Sequence, residues 1–365
     1  MSKEFFTNSA KALKGILEEE KPQKIFLVTD KNAYDKSGAE ALFSSTLKDF
    51  KVVVFSEFQE NPKIEDIERG IEAFRSCSPD LVLAVGGGSA LDVAKCVNVL
   101  ASQEGNPLEY VFKEKEITSQ GKPLVAVPTT AGTGAESTQF AVVYVNGIKH
   151  SLTHSFAVPT YSIVDPQLTF SLPPRITAST GMDALAQAIE SYWSNKATEE
   201  SKQYAKEAIS LILPNLALAV NNPTPEARTA VSRGAHLAGK AINISFTTAC
   251  HAISYTFTAH YGVPHGHAVA LTLPAIIEYN AEAMKEDVLY GLLSLFGSQN
   301  AKQAADRIRN LMREIGLETK VNELGISNTQ ELEDLVVKEV NLERLQNNPR
   351  VLKEQDLRAI LQGIQ

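Results

Sequence analysis

Leu81-Val82-Leu83-Ala84-Val85-Gly86-Gly87-Gly88-Ser89-Ala90-Leu91-Asp92-Val93-Ala94-Lys95 decides the fold of this 365-residue chain. Its first five residues are an apolar run of the length of a buried strand. Gly86, Gly87 and Gly88 then let the backbone turn sharply and pass close to a bulky anion. Ser89 is placed to cap the helix that Leu91, Val93 and Ala94 begin, with Asp92 in its expected first turn. A strand, a glycine turn and a helix N-terminus form a pyrophosphate site, because unpaired amides and the helix dipole both favour negative charge. A glycine run after a strand also serves a plain tight turn, so the surroundings must decide.

The surroundings favour the cofactor. Upstream, Ser9 to Glu20 has helical spacing, Lys24 to Asp30 reads as a buried strand ending in a carboxylate, and Ala39 to Leu47 as helix. Lys51 to Phe55 is strand and Ile64 to Ser76 an amphipathic helix. Downstream, the strand Pro123 to Val127 runs into Pro128-Thr129-Thr130-Ala131-Gly132-Thr133-Gly134-Ala135-Glu136. Strands alternating with helices predict right-handed crossovers and a Rossmann-like parallel sheet. Ligands of such sheets lie at the carboxyl ends of the strands, where Asp30, Gly86 to Ser89 and Thr129 to Gly134 all fall. The cofactor-binding candidates are therefore Asp30, Gly86, Gly87, Gly88, Ser89, Asp92, Thr129, Thr130 and Thr133, with Lys149 farther on. Asp30 suits a ribose diol and would repel a 2′-phosphate, favouring NAD(H), although small shifts in its loop would admit NADP(H). It is equally an ordinary turn aspartate in Thr-Asp-Lys-Asn.

Two further strands, Ala141 to Val145 and Tyr161 to Val164, are expected, joined through Lys149, His150 and His154. Beyond Pro174 the chain reads as nearly all helix: Arg175 to Trp193, Thr198 to Val220 with Thr198 as cap, Pro225 to Asn243, and a long stretch from Ala281. The expected organisation is an α/β dinucleotide-binding domain over residues 1–165 and an all-α metal-binding, catalytic domain over 166–365.

Composition narrows the class. Forty-four per cent hydrophobic with 21% charged residues is ordinary for a globular enzyme. A formal charge of −8 argues against nucleic-acid or anionic-membrane partners. Three cysteines, Cys77, Cys96 and Cys250, lack metal-type spacing and suit a reducing compartment. Neither a signal-peptide core nor a run of about 18 apolar residues is present, so the expected location is the cytoplasm.

The helical half carries the chemistry. Asp183 and Gln187 stand one turn apart in Gly181-Met182-Asp183-Ala184-Leu185-Ala186-Gln187. An aspartate on so apolar a helix must be paired or hold a cation. His251, His260, His265 and His267 crowd into one later segment. A carboxylate with two imidazoles suits Zn²⁺ or Fe²⁺ with positions left open. The same residues also fit a structural buried acid and interface histidines.

Six segments resemble the iron-containing alcohol dehydrogenase family, whose relatives include zinc glycerol dehydrogenase and dehydroquinate synthase. They are Gly86 to Lys95, Pro128 to Glu136, Ile163-Val164-Asp165-Pro166, Leu172-Pro173-Pro174, Thr180 to Leu185 and Pro264-His265-Gly266. The resemblance implies that Asp183, His251 and His265 fall on three of the family's four metal positions, with Gln187 where iron enzymes have histidine. It also implies a nicotinamide cofactor on the glycine and threonine loops, and hydride transfer between the nicotinamide and a metal-polarised carbonyl. A homodimer is expected from it. Tyr255 stands where many members carry a histidine, which leaves His267 or His260 as the expected proton relay.

Within the family, His251 to Tyr255, Gly262 to Leu271 and Asn341 to Arg350 look most like the phosphonoacetaldehyde reductases. That branch implies a small, anionic aldehyde substrate reduced to 2-hydroxyethylphosphonate. Its dianion would require cationic partners, for which Lys149, Arg233, Lys240 and Arg350 are candidates. A zinc polyol or general alcohol dehydrogenase, and a dehydroquinate synthase-like lyase that turns over no cofactor, are the alternative readings.

Overall fold

The computed structural model describes residues 2–365 and divides into two compact units. One comprises Met1–Thr130 with Gly134–Leu172, the other Ala131–Thr133 with Pro173–Gln365.

The first unit runs β1 (Lys3–Phe6), α1 (Ser9–Glu20), β2 (Lys24–Thr29), α2 (Lys31–Lys36), α3 (Ala39–Leu47) and β3 (Lys51–Phe55). It continues with α4 (Ile64–Cys77), β4 (Leu81–Gly86), α5 (Gly88–Leu100), α6 (Pro107–Val111) and β5 (Leu124–Pro128). The hairpin β6 (Phe140–Val145) and β7 (Ile148–Thr153) precedes β8 (Tyr161–Val164). Six strands form one all-parallel sheet in the order β1-β8-β5-β4-β2-β3.

Both faces of this sheet are covered, which is why β2 and β4 read as continuous apolar runs. Alternate residues serve two separate cores. Phe26, Val28, Val82 and Ala84 pack under α4 and α5, whereas Ile25, Leu27, Leu81 and Leu83 pack with α1 and α3. Register aligns the carboxyl ends, since Thr29 lies opposite Val85 and Gly86 opposite Pro128. Asp30, Gly87 and Thr129 therefore emerge along one edge.

Three elements differ from the sequence-based expectation. β1 is a short, charged edge strand, exposed except at Phe5, and it is legible only through its pairing with β8. α2 is a polar helix, held by its cap Asp30. β7, mostly half-buried, pairs antiparallel with β6 where a connecting loop was expected.

The second unit is helical: α7 (Pro174–Trp193), α8 (Glu199–Asn221), α9 (Pro225–Ser245), α10 (Ala249–Tyr261), α11 (His265–Ala281) and α12 (Glu286–Phe296). α13 (Ala301–Glu314), α14 (Thr329–Glu339), α15 (Leu342–Gln346) and α16 (Glu354–Gln362) complete it. Thr198 caps α8, its hydroxyl accepting from the Ser201 amide at 3.1 Å. α7 is the central helix, buried almost without interruption from Thr177 to Trp193. Among the described residues no helix is long and apolar enough to cross a membrane.

Candidate active site

The glycine turn of the first unit departs from expectation at its cap. Gly87 is the N-cap of α5, with no side-chain bond, and Ser89 lies inside the helix. The Ser89 hydroxyl instead accepts the Asn61 amide at 3.4 Å. No acidic residue occupies the first turn, and Asp92 is the fifth helical residue. The close approach of strand and helix explains the first glycine: a Cβ on Gly86 would come within 2.7 Å of the Ala90 Cβ. Thr129 donates its amide to the Gly86 carbonyl at 2.9 Å, and Thr130 lies beside Gly87. An uncapped helix start bounded by these threonines keeps amide donors for an anion.

Behind the turn the half-buried Asp92 stands near the fully buried Lys95. Burial raises the Asp92 carboxyl to about 6 against the opposing pull of Lys95, the Val142 amide and Lys149. Lys95 is fully buried and pushed down to about 8 by desolvation. Its ammonium donates to the Thr138 carbonyl at 2.7 Å, the Thr138 hydroxyl at 3.1 Å and the Phe140 carbonyl at 2.9 Å. Lys95 thus moors the hairpin to α5. Asp30 is exposed and caps α2 through the Ala33 amide at 2.7 Å, and no other bond is described at its second oxygen. Thr133 belongs to the second unit, where its carbonyl accepts from Gln187 at 3.4 Å.

In the second unit Asp183, Gln187 and Glu190 recur at i, i+4 and i+7 along α7, which puts them on one face. His251 comes from the first turn of α10 and His265 from the start of α11. One ligand atom each from Asp183, His251 and His265 lies within 4.8 Å of the others. Asp183 Oδ1 is 3.3 Å from His251 Nε2 and 3.9 Å from His265 Nε2. The two imidazole rings meet edge-on, with centroids 5.6 Å apart.

Gly266 permits this convergence. A Cβ there would come within 2.0 Å of the Ser179 carbonyl oxygen and 2.8 Å of the Asp183 Cβ. The first turn of α11 therefore rests directly on α7, and the His267 amide bonds the Ser179 hydroxyl at 3.2 Å.

Glu190 is a site residue that the sequence reading passed over. Its carboxylate, fully buried, bonds His251 Nδ1 and accepts the Thr248 hydroxyl at 2.8 Å and the Cys250 amide at 2.7 Å. A carboxylate on Nδ1 keeps a proton there and turns Nε2 toward Asp183. The i+7 spacing from Asp183 was the available signal. Desolvation works against the charged imidazole, yet Glu190 and Asp183 together hold His251 up at about 9. Two buried carboxylates thus hold a proton where a divalent cation would sit, and oxygen with imidazole donors suits Fe²⁺ or Zn²⁺.

Gln187 supports Asp183 through its amide nitrogen. Its Nε2 donates to Asp183 Oδ2 at 3.2 Å and to the Thr133 carbonyl at 3.4 Å. Both partners only accept, so the amide orientation is dictated. Its Oε1 is buried and has no partner among the described residues.

Neither expected proton relay joins this cluster. His260 lies nine residues beyond His251, about 13 Å along the helix, and pairs with Glu339 at 2.8 Å near the surface. His267 is fully buried, its Nε2 bonding the Glu318 carbonyl at 2.8 Å, and burial lowers its pKa. Tyr255 takes the place beside the cluster, stacked on His265 with centroids 6.2 Å apart.

The comparisons agree with this geometry. The family model for iron-containing alcohol dehydrogenase matches residues 4–166, and that for the C-terminal part of the Fe-containing alcohol dehydrogenase family matches 177–364. The chain belongs to the iron-containing alcohol dehydrogenase family. It is an oxidoreductase of the alcohol dehydrogenase kind, metal-containing and NAD-dependent. Its family relatives include long-chain-alcohol dehydrogenase 1 of Geobacillus thermodenitrificans, 33% identical over 86% of this chain and 82% of the relative. The sulfoacetaldehyde reductase of Bilophila wadsworthia is 29% identical over 98% and 93%. Among solved family structures, sulfoacetaldehyde reductase from Bifidobacterium kashiwanohense in complex with NAD⁺ superposes with a TM-score of 0.91 at 31% identity, covering 100% of this chain and 96% of that one.

Proposed function

We propose that this alcohol dehydrogenase uses NADH to reduce phosphonoacetaldehyde to 2-hydroxyethylphosphonate, with Fe²⁺ or Zn²⁺ held by Asp183, His251 and His265. The convergence of those three donors on one buried point carries the reading of the centre. The substrate class is supported by full-length likeness to reductases named for sulfoacetaldehyde, itself a two-carbon aldehyde with an oxyanion head. The metal, when bound, supplies Lewis acidity toward the substrate oxygen.

The chain's own groups do the positioning. Glu190 keeps a proton on His251 Nδ1, so that Nε2 is the nitrogen that would give up its proton to a metal. Gln187 pins Asp183 Oδ2, which leaves Oδ1 turned to the imidazoles, and its own Oε1 is the atom it retains for a cation or a hydroxyl. Gly87 and Gly88, at the uncapped start of α5, offer the amides for the pyrophosphate, and Asp30 disfavours a 2′-phosphate.

The test is NADH and NADPH oxidation by metal-stripped protein reloaded separately with Fe²⁺ and Zn²⁺. The panel is phosphonoacetaldehyde, sulfoacetaldehyde, dihydroxyacetone, lactaldehyde and propanal, with Asp183→Ala as control. Metal-dependent turnover strongest on phosphonoacetaldehyde supports the proposal. Turnover confined to uncharged carbonyls removes the phosphonate, and cofactor binding without net oxidation moves the assignment to a lyase.

A further inference from the structure

We infer that Arg344, held by Thr247 and Tyr255, is the subsite that reads the tetrahedral oxyanion head of the substrate. The inference rests on the reading of the substrate as an anionic aldehyde. It names a residue outside the cations that the sequence suggested, and the structure accounts for those in other ways. Arg350 pairs with Glu282 at 2.8 Å and lies 3.9 Å over the Tyr279 ring. Lys240 lies over Tyr204, Arg233 is exposed on α9, and Lys149 belongs to the first unit near Asp92.

Arg344 is half-buried on α15, and no carboxylate pairs with it among the described residues. Arg69, Arg175, Arg309, Arg350 and Arg358 each meet a carboxylate. One Arg344 N–H donates to the Thr247 hydroxyl, and its guanidinium carbon lies 5.9 Å from the Tyr255 ring centroid. Tyr255 in turn stacks on His265, so a single aromatic ring separates an uncompensated guanidinium from the candidate metal centre. A guanidinium presents five donors in a planar fork that fits an oxyanion bidentately. Such a cation, partly withdrawn from water, is stable there when an anion completes it.

The subsite is rigidly built. The Asn341 side chain caps α15 at the Arg344 amide, 2.9 Å away. Asn347 donates to the carbonyls of Ser245 at 2.8 Å and Thr247 at 3.1 Å, fixing α15 to the loop that carries Thr247. Phe246, immediately before Thr247, has φ +62°, a conformation that a bulky residue holds only when its surroundings enforce it.

The experiment compares the loaded wild-type enzyme with Arg344→Met and Arg344→Lys on phosphonoacetaldehyde, sulfoacetaldehyde and propanal. The ratio of kcat/KM for either anionic aldehyde to that for propanal is expected to fall at least about tenfold in Arg344→Met, mostly through KM, with partial recovery in Arg344→Lys. A larger fall for phosphonate than for sulfonate assigns the dianion, and the reverse assigns the sulfonate. Ethylphosphonate and ethanesulfonate are tested in parallel as inhibitors of propanal reduction. Inhibition by either that weakens in Arg344→Met upholds the subsite even if the aldehydes themselves prove poor substrates, an outcome that would remove the proposed reaction alone. An unchanged ratio, or wild-type propanal reduction indifferent to both anions, overturns the subsite.

Discussion

The carboxylate of Glu190 bonds Nδ1 of His251, and the opposite nitrogen of the same ring faces Asp183 at 3.3 Å. One imidazole is thus clamped between two buried acids of a single helix. Removing the outer acid leaves the ligands in place but frees the ring. Glu190→Gln is expected to weaken Fe²⁺ and Zn²⁺ binding about 10- to 100-fold, read by equilibrium dialysis with metal analysis. Unaltered affinity would show that packing alone orients His251.

Gly266→Ala tests the seat of α11 on α7. A methyl group 2.0 Å from the Ser179 carbonyl oxygen cannot be accommodated without moving the helix start that carries His265. We expect a loss of about 1–3 kcal/mol in unfolding free energy together with reduced metal retention. Denaturant titration and metal content measure the two separately.

Gln187→His replaces an amide that supports Asp183 with an imidazole able to bind directly. Metal affinity is expected to rise about tenfold or more, with borderline-soft ions gaining most. Competition with a chelator of known affinity reads this, and a fall would show that the amide's bond to Asp183 Oδ2 matters more than an added nitrogen.

Lys95→Met removes an ammonium from three acceptors in a closed interior and leaves Asp92 without its nearest cation. Destabilisation of about 3–5 kcal/mol is expected from the urea midpoint, because uncompensated acceptors and charge remain behind.

Asp92 also gives a pH signature. Its carboxyl titrates near 6 in the folded protein against 3.8 ordinarily, so the folded form binds that proton more tightly than the unfolded chain does. Between those values, ionisation of Asp92 removes stability as pH rises. Wild-type stability measured relative to Asp92→Asn should therefore fall from pH 4 to pH 6 and level off above. A flat difference would place Asp92 in contact with water.

The sequence made most of the scaffold legible because parallel strands buried on both faces announce themselves as uniform apolar runs. β1 and β7 escaped because they lie at edges, where charged or alternating residues carry no such signal and only a partner strand defines them. Asp183, His251 and His265 could be read as a cluster, since a carboxylate on an apolar helix demands a partner. Glu190 went unread because it lies a turn past Gln187, where attention to ligands alone does not reach. His260 and His267 were misplaced for a related reason: adjacency in sequence says nothing about which way a ring points from a helix. Arg344 lies in the segment Asn341 to Arg350 that carries the branch resemblance, but nothing there singled it out, since its proposed role depends on a loop nearly a hundred residues earlier.

Asn347 has a consequence for the order of assembly. Its side chain and backbone accept from Ser194 and Asn195 and donate to Ser245 and Thr247, joining segments about 100 to 150 residues apart. The turn after α7 and the loop before α10 bond each other directly, the Ser194 hydroxyl donating to the Ser245 carbonyl at 2.8 Å, and Asn347 adds bonds to both. Contacts of such sequence separation form late and slowly. The helices that carry Asp183 and His251 are thus synthesised long before the last of the bonds that join their ends. A nascent chain at that stage exposes apolar helix faces around an incomplete centre and is open to misassembly until Asn347 docks.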